Sequence, residues 1–194
     1  MKRLSLITSI ALVLLLTVST SFAQKRKKNE EPPKVEAPTF KISEKTKKAV
    51  YNEVVQQKGT VGATYDKVFA WANKFYKAPS NVLRKKERDN GLLVAKGRFY
   101  LNYTEPETGT KKRAHTMEYD LTFNFKEDRY RYEITNIIYK STSYQGIEQW
   151  IDANTTTYNH KTASYLVTLD EELRKIIDSF KTSIASVEKA EEEW

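Results

Sequence analysis

The sequence predicts an α+β fold, an antiparallel sheet of about four to five strands with two helices packed on one of its faces. Three patterns carry this prediction. From residue 117 the chain alternates between Met117, Tyr119, Leu121, Phe123 and Phe125 on one parity and Glu118, Asp120, Thr122 and Asn124 on the other. That is the period of a strand with one face on a core and one in water. After Lys126 the parity inverts to Tyr130, Tyr132, Ile134 and Ile138, as a two-residue turn at Glu127 and Asp128 requires. This turn sets Phe125 opposite Tyr130, Phe123 opposite Tyr132, Leu121 opposite Ile134 and Met117 opposite Ile138. Two further stretches repeat apolar residues at spacings of three and four, the signature of amphipathic helices.

In chain order, residues 1–23 come first: Lys2 and Arg3, an apolar run from Leu4 to Val18, then small residues at Ser21 and Ala23. This reads as a secretory signal peptide cleaved near Ala23 and Gln24, its apolar run being shorter than the ~20 residues of a membrane span. The expected location is therefore the periplasm or the exterior, with no integral membrane span after cleavage. The chain has no cysteine, so an exported domain must be held by its core alone. About 170 residues follow, enough for one domain.

Residues 24–49 are polar, proline-bearing and without apolar period, which reads as a flexible basic tether. Of the formal charge of +8, Lys2 and Arg3 supply two; residues 24–49, with nine basic side chains against four acidic, supply five. One charge is left for residues 50–194, so the expected domain is almost neutral.

The domain is expected to open with a strand carrying Val50, Val54 and Val55. Thr64 is placed to cap a helix with the stripe Tyr65, Val68, Phe69, Ala72, Phe75 and Tyr76, ended by Pro79. The charge run at 84–88 reads as a solvated strand edge or loop. Residues 92–103 alternate again, with Leu93, Ala95, Phe99, Leu101 and Tyr103 inward and Gly97 on the same parity, where a missing side chain permits close approach or a bulge. A loop at 104–113 leads to the central hairpin. Residues 141–167 read as a long connection with one helical turn near 147–153. Thr168 and Glu171 form a capping box opening a last helix with Leu173, Ile176, Ile177, Phe180, Ile184 and Val187 on one stripe.

Four segments, KFYKAPSNV, LLVAKGRFYLNY, YDLTFNFK and KEDRYRYEITNI, together resemble an exported bacterial family of unknown function with a TATA-box-binding-protein-like (TBP-like) fold. The resemblance covers roughly residues 50–139. Its most specific parts are Lys96-Gly97 and the turn at 126–132, where Asp128 stands in place of the usual glycine. It implies a TBP-like α+β domain over 50–194 and brings no catalytic residues with it.

Function is read largely by exclusion. The fold name suggests DNA, but phosphate neutralisation needs clustered cations; here Lys96, Arg98 and Arg131 are mixed with Glu118, Asp120 and Glu133 on the outward parity, and no nucleic-acid partner is expected. The two histidines, His115 and His160, lie in no metal-binding spacing, there is no nucleophile motif, and no metal or cofactor is expected. A β-barrel fails on strand count. The expectation is thus a non-catalytic binding or interaction module of the cell envelope, its partner an envelope protein, a glycan or a small ligand. The alternative is a periplasmic hydrolase using strand-face carboxylates such as Glu118 and Asp120. Long connections are often functional, and the one at 141–167 offers Tyr144, Trp150, Tyr158 and His160 as candidate binding residues. The competing reading of Trp150 is that it pins the connection to the domain.

Overall fold

The computed structural model describes residues 35–104, 108–152 and 154–192. Its elements in order are β1 (Tyr51–Gln56), α1 (Val61–Phe75), α2 (Pro79–Val82), β2 (Leu83–Glu87), β3 (Leu92–Thr104), β4 (Lys111–Lys126), β5 (Arg129–Lys140), β6 (Tyr144–Gly146), α3 (Glu148–Ile151) and α4 (His160–Glu192). The strands form one antiparallel sheet in the order β1-β5-β4-β3-β2, with β6 pairing β5. The fold is α+β as the alternation requires. The sheet gains its sixth strand from β6, three residues too short to show a period.

The central hairpin is β4 and β5. Phe125 pairs with Tyr130, Phe123 with Tyr132 and Leu121 with Ile134, and all six side chains are buried. The expected pairing of Met117 with Ile138 fails: Met117 faces Tyr139 and Glu118 faces Ile138. Asp120 pairs with Thr135, so β5 holds one residue more than β4 over this stretch. The extra residue is a bulge at Asn136, whose φ of 51° lies in the left-handed region. A bulge shifts the parity by one, so Ile137 and Tyr139 point inward and Ile138 outward.

At the hairpin turn Asp128 has φ 55°, a conformation that favours glycine. The carboxylate offsets the strain by accepting from the Gly59 N–H at 3.0 Å, while Gln57 N–H donates to the Asp128 carbonyl at 2.9 Å. Glycine has no side chain to make the first of these bonds. They tie the turn to the end of β1.

Helix α1 begins earlier than expected. Thr60, not Thr64, is the cap, its hydroxyl accepting from Ala63 N–H at 3.2 Å, and Thr64 is buried within the helix. The buried stripe runs through Trp71, which the sequence reading left out, because α4 packs on the flank of α1 and widens its covered face. Trp71 meets Phe180 edge-on at 5.5 Å and donates its indole N–H to Ser179 Oγ at 2.9 Å. Pro79 does not end α1, whose cap is Tyr76; it opens the short α2, where its fixed φ and absent N–H cost nothing.

Helix α4 also starts earlier, at His160. Asn159 Oδ1 accepts from the Lys161 and Thr162 N–H groups at 3.0 and 3.1 Å, and Thr162 Oγ1 accepts from Asn159 N–H at 2.8 Å. This reciprocal cap displaces the expected one at Thr168, which sits inside the helix and donates to the Ser164 carbonyl. The supposed connection at 141–167 is therefore mostly built structure: β6, α3 and the first two turns of α4. From Leu173 to Ile184 the expected stripe is buried as read.

The later part of the segment expected to be a flexible tether packs on the domain. Phe40 and Ala49 are buried in the core, Phe40 sits edge-on to Tyr51 at 6.1 Å, and Val50 N–H donates to the Lys41 carbonyl at 2.9 Å. One aromatic side chain is enough to pin a polar segment at roughly 1.5–3 kcal/mol per large apolar group. The segment expected to be a signal peptide, residues 1–23, and residues 24–34 of the expected tether lie outside the described residues. Among the described residues no helix is long and apolar enough to cross a membrane.

Candidate functional site

The lengths of two neighbouring strands leave a concave feature beside β3. Strand β2 has five residues and β3 thirteen; β2 pairs β3 only from Leu92 to Ala95. Residues 96–104 of β3 therefore have a strand partner on the β4 side alone, and among the described residues none on the other. An edge of this kind presents unpaired backbone N–H and C=O groups.

Beside this edge lies an open cleft of about 980 Å³. One wall comes from the end of α1 and from α2 (Phe75, Tyr76, Val82) and from α4 (Glu172, Ile176). The other carries outward side chains of the sheet, among them Arg98, Tyr100, Glu118 and Tyr144. Phe75, Tyr100 and Tyr144 are 39%, 51% and 55% exposed, so half of the six large apolar side chains left exposed in the described residues collect here. Single exposed apolar residues are ordinary; a group of them around one concavity makes it a candidate place of contact.

The floor is built by Gly97 and two tyrosines. Gly97 pairs directly with Tyr119 of β4, and the phenol ring of Tyr119 lies over the glycine so closely that a Cβ there would sit inside the radii of Cζ and Oη, and 2.7 Å from Cε1. An aromatic cross-strand partner covering a glycine in this way restores the packing the glycine lacks. The Tyr119 hydroxyl then meets that of Tyr76 at 3.2 Å. Burial pushes the Tyr119 phenol up to about 12, partly opposed by the Tyr76 hydrogen bond, and burial raises Tyr76 as well. Both hydroxyls therefore stay protonated through the neutral range and bond as neutral groups.

The ionic side chains around the cleft are unevenly matched. Lys96 pairs with Glu118 at 3.1 Å, Glu118 also accepts from the Tyr144 hydroxyl at 3.4 Å, and Glu172 pairs with Lys175 at 2.6 Å. Arg113 stacks 3.6 Å over the Tyr100 ring. Lys77, Arg84 and Arg98 also line the cleft, and none of them has a carboxylate partner among the described residues.

Of the four residues expected to form a site, Tyr144 lines the cleft and Trp150 is buried in the core. Trp150 is 3% exposed and stacks on Tyr139 at 4.1 Å, with His115 and Tyr165 rings at 5.3 and 5.5 Å. It fills the core end of the sheet. Tyr158 lies in the turn before α4, 38% exposed, and the His160 side chain lies outside the described residues. The signal that sequence reading missed was the contrast between a five-residue charged strand and a thirteen-residue alternating one, since a free edge exists only once their register is known. The carboxylates of the hydrolase alternative are both tied: Glu118 as above, and Asp120 by the Asn136 amide at 3.1 Å. Among the described residues no three His, Cys, Asp or Glu side chains gather as a metal site.

Comparison with known proteins agrees with this architecture. No curated protein matches the chain. A TBP-like protein from Parabacteroides distasonis is 16% identical, covering 69% of this chain and 93% of its own with a TM-score of 0.49. A DUF4468 family protein from Bacteroides ovatus is likewise 16% identical, covering 69% of this chain and 86% of its own with a TM-score of 0.52; at that identity the likeness speaks for the fold alone. Residues 51–140, from the start of β1 to the end of β5, match the model of the family described as a domain of unknown function (DUF4468) with TBP-like fold.

Proposed function

We propose that this protein is an exported, non-catalytic interaction module that receives an extended segment of a partner protein along the free edge of β3. The observation that carries the reading is the nine-residue stretch 96–104, without a second strand partner among the described residues and lying beside an open cleft. Strand addition draws affinity from main-chain hydrogen bonds and selectivity from the side chains that flank the edge. Here those flanks are ready-made, with Phe75, Tyr100 and Tyr144 exposed around one concavity. The leader at residues 1–23 supports export, and the neutral domain supports a protein rather than a nucleic-acid partner. Catalysis gains no support from Glu118 and Asp120, each already engaged by a neighbour.

The reading is tested by amide hydrogen exchange. Peptides of about ten residues are selected from a display library on the immobilised protein and added back one at a time. Slowed exchange across residues 96–104 is the expected result. Selected peptides that slow exchange only elsewhere, or a selection that returns no binder, would overturn it.

A further inference from the structure

Resting on that reading of the β3 edge, we propose that the segment it receives is acidic, with carboxylate side chains alternating with apolar ones. The first argument is charge. The cleft is lined by Lys77, Arg84, Lys96 and Arg98 against Glu118 and Glu172. Both carboxylates are already paired, with Lys96 at 3.1 Å and Lys175 at 2.6 Å; among the described residues Lys77, Arg84 and Arg98 make no ion pair of their own, and the carboxylate facing Arg98 across the ladder, Glu118, is the one that Lys96 already holds. Such a rim selects its partner by sign and hastens encounter with an anionic one.

The second argument is period. Side chains of an added strand alternate between the two faces of the sheet. On the inner side they meet Phe75, Phe99 and Ile176; on the outer side they meet Arg98 and Tyr100. An alternating apolar and acidic segment satisfies both sides at once.

The third argument removes the rival occupants. Two copies of this chain pairing their β3 edges would bring two rows containing Lys96 and Arg98 against each other, and like charges placed opposite are destabilising; cations on an edge are also a common guard against self-pairing. The tether's residues 24–34 hold five basic side chains against two acidic, the same sign as the cleft. An acidic partner is the occupant that the charges admit.

The test uses three synthetic nine-residue peptides in which valine alternates with glutamate, threonine or lysine, matched in length to residues 96–104. Affinity is read by fluorescence anisotropy and location by amide exchange. Three exposed ion pairs of ordinary strength amount to about a tenfold difference in Kd, so the glutamate peptide should bind about tenfold tighter than the threonine one, with slowed exchange at 96–104. Its advantage should vanish near 1 M salt, where the screening length is ~3 Å. The lysine peptide should bind weakest, and the pair R84E and R98E, both on the strand surface, should invert the order. Equal binding of the glutamate and threonine peptides, both protecting 96–104, overturns the acidic preference and leaves strand addition standing. Glutamate-peptide binding without protection there is surface attraction and overturns the proposal. No binding by any of the three overturns strand addition as well.

Discussion

Replacing Gly97 by alanine should destabilise the protein severely, although alanine in a strand usually gains roughly 0.5–1 kcal/mol over glycine. The new Cβ would fall inside the radii of Tyr119 Cζ and Oη. The backbone has little room to yield, because Gly97 and Tyr119 are direct ladder partners in the middle of the longest strand pair. The ring must swing instead. Overpacking of this kind costs about 1–3 kcal/mol, and parting the Tyr119 and Tyr76 hydroxyls in a buried site costs about 1–3 kcal/mol more. A loss of roughly 2–6 kcal/mol follows, a large share of the ~5–15 kcal/mol that holds a typical domain together. For a chain of this size that lowers the melting temperature by about 4–24 °C. The assay is urea denaturation followed by tryptophan fluorescence, run as a double-mutant cycle with Tyr119→Leu. In the leucine background the added methyl meets no ring, so Gly97→Ala should cost less than about 0.5 kcal/mol there. An equal cost in both backgrounds, or a Gly97→Ala protein as stable as the parent, refutes the reasoning.

Trp150→Ala should cost about 3–5 kcal/mol, since the indole is buried against Tyr139, His115 and Tyr165; unchanged stability with lost ligand binding would instead mark it as a site residue. At the hairpin turn, Asp128→Ala keeps the strained φ and loses the bond to Gly59, so it should cost about 2 kcal/mol, whereas Asp128→Gly trades that bond for relief of strain and should stay within about 1 kcal/mol of the parent; chemical denaturation ranks them, and a glycine variant worse than the alanine one would refute the compensation. Burial lowers the His115 imidazole pKa, outweighing its hydrogen bond with the Lys140 backbone, and nearby Lys161 lowers it further. The unfolded chain then takes up this proton first, so the contribution of His115 is complete above about pH 6.5 and is lost as pH falls from there towards the lower folded value. The urea midpoint should drop between pH 7.5 and 5.5, and by less in His115→Asn; parallel profiles for the two proteins would contradict the assignment.

What could be read from the sequence was whatever a single strand or helix records in its own period. The inward set of β4, the turn at Glu127 and Asp128, three pairings of the hairpin and the stripe of α4 from Leu173 onward all follow from local alternation. Errors arose where a local signal competed with a long-range one. Asn136 stood on the apolar parity of β5 with Ile137 and Ile138 beside it, which is the mark of a bulge, yet only the pairing with β4 decides which isoleucine turns inward. Thr168 and Glu171 made a plausible cap, but Ala163, Leu166 and Leu169 extend the stripe upstream, and packing on the sheet carries the helix back to Asn159. Trp71 could not be assigned to the core without knowing that α4 lies beside α1. The cleft was illegible for the same reason, since it depends on where β2 stops along β3.

The cleft separates shape from sign. Its shape rests on residues that also hold the fold: Gly97 opens the floor, Tyr119 covers the glycine, and Tyr76 ties that ring to the end of α1. A change at any of them disturbs core and concavity together, so this part of the site is confined by stability. Its sign rests on Lys77, Arg84 and Arg98, which line the cleft and make no ion pair among the described residues. Substitutions at such solvent-facing positions usually move stability by no more than about 0.5 kcal/mol. Under the proposed reading the same sheet can thus keep one strand-accepting edge while changing which charges it admits, because the groups proposed to choose the partner are not the groups that fold the chain.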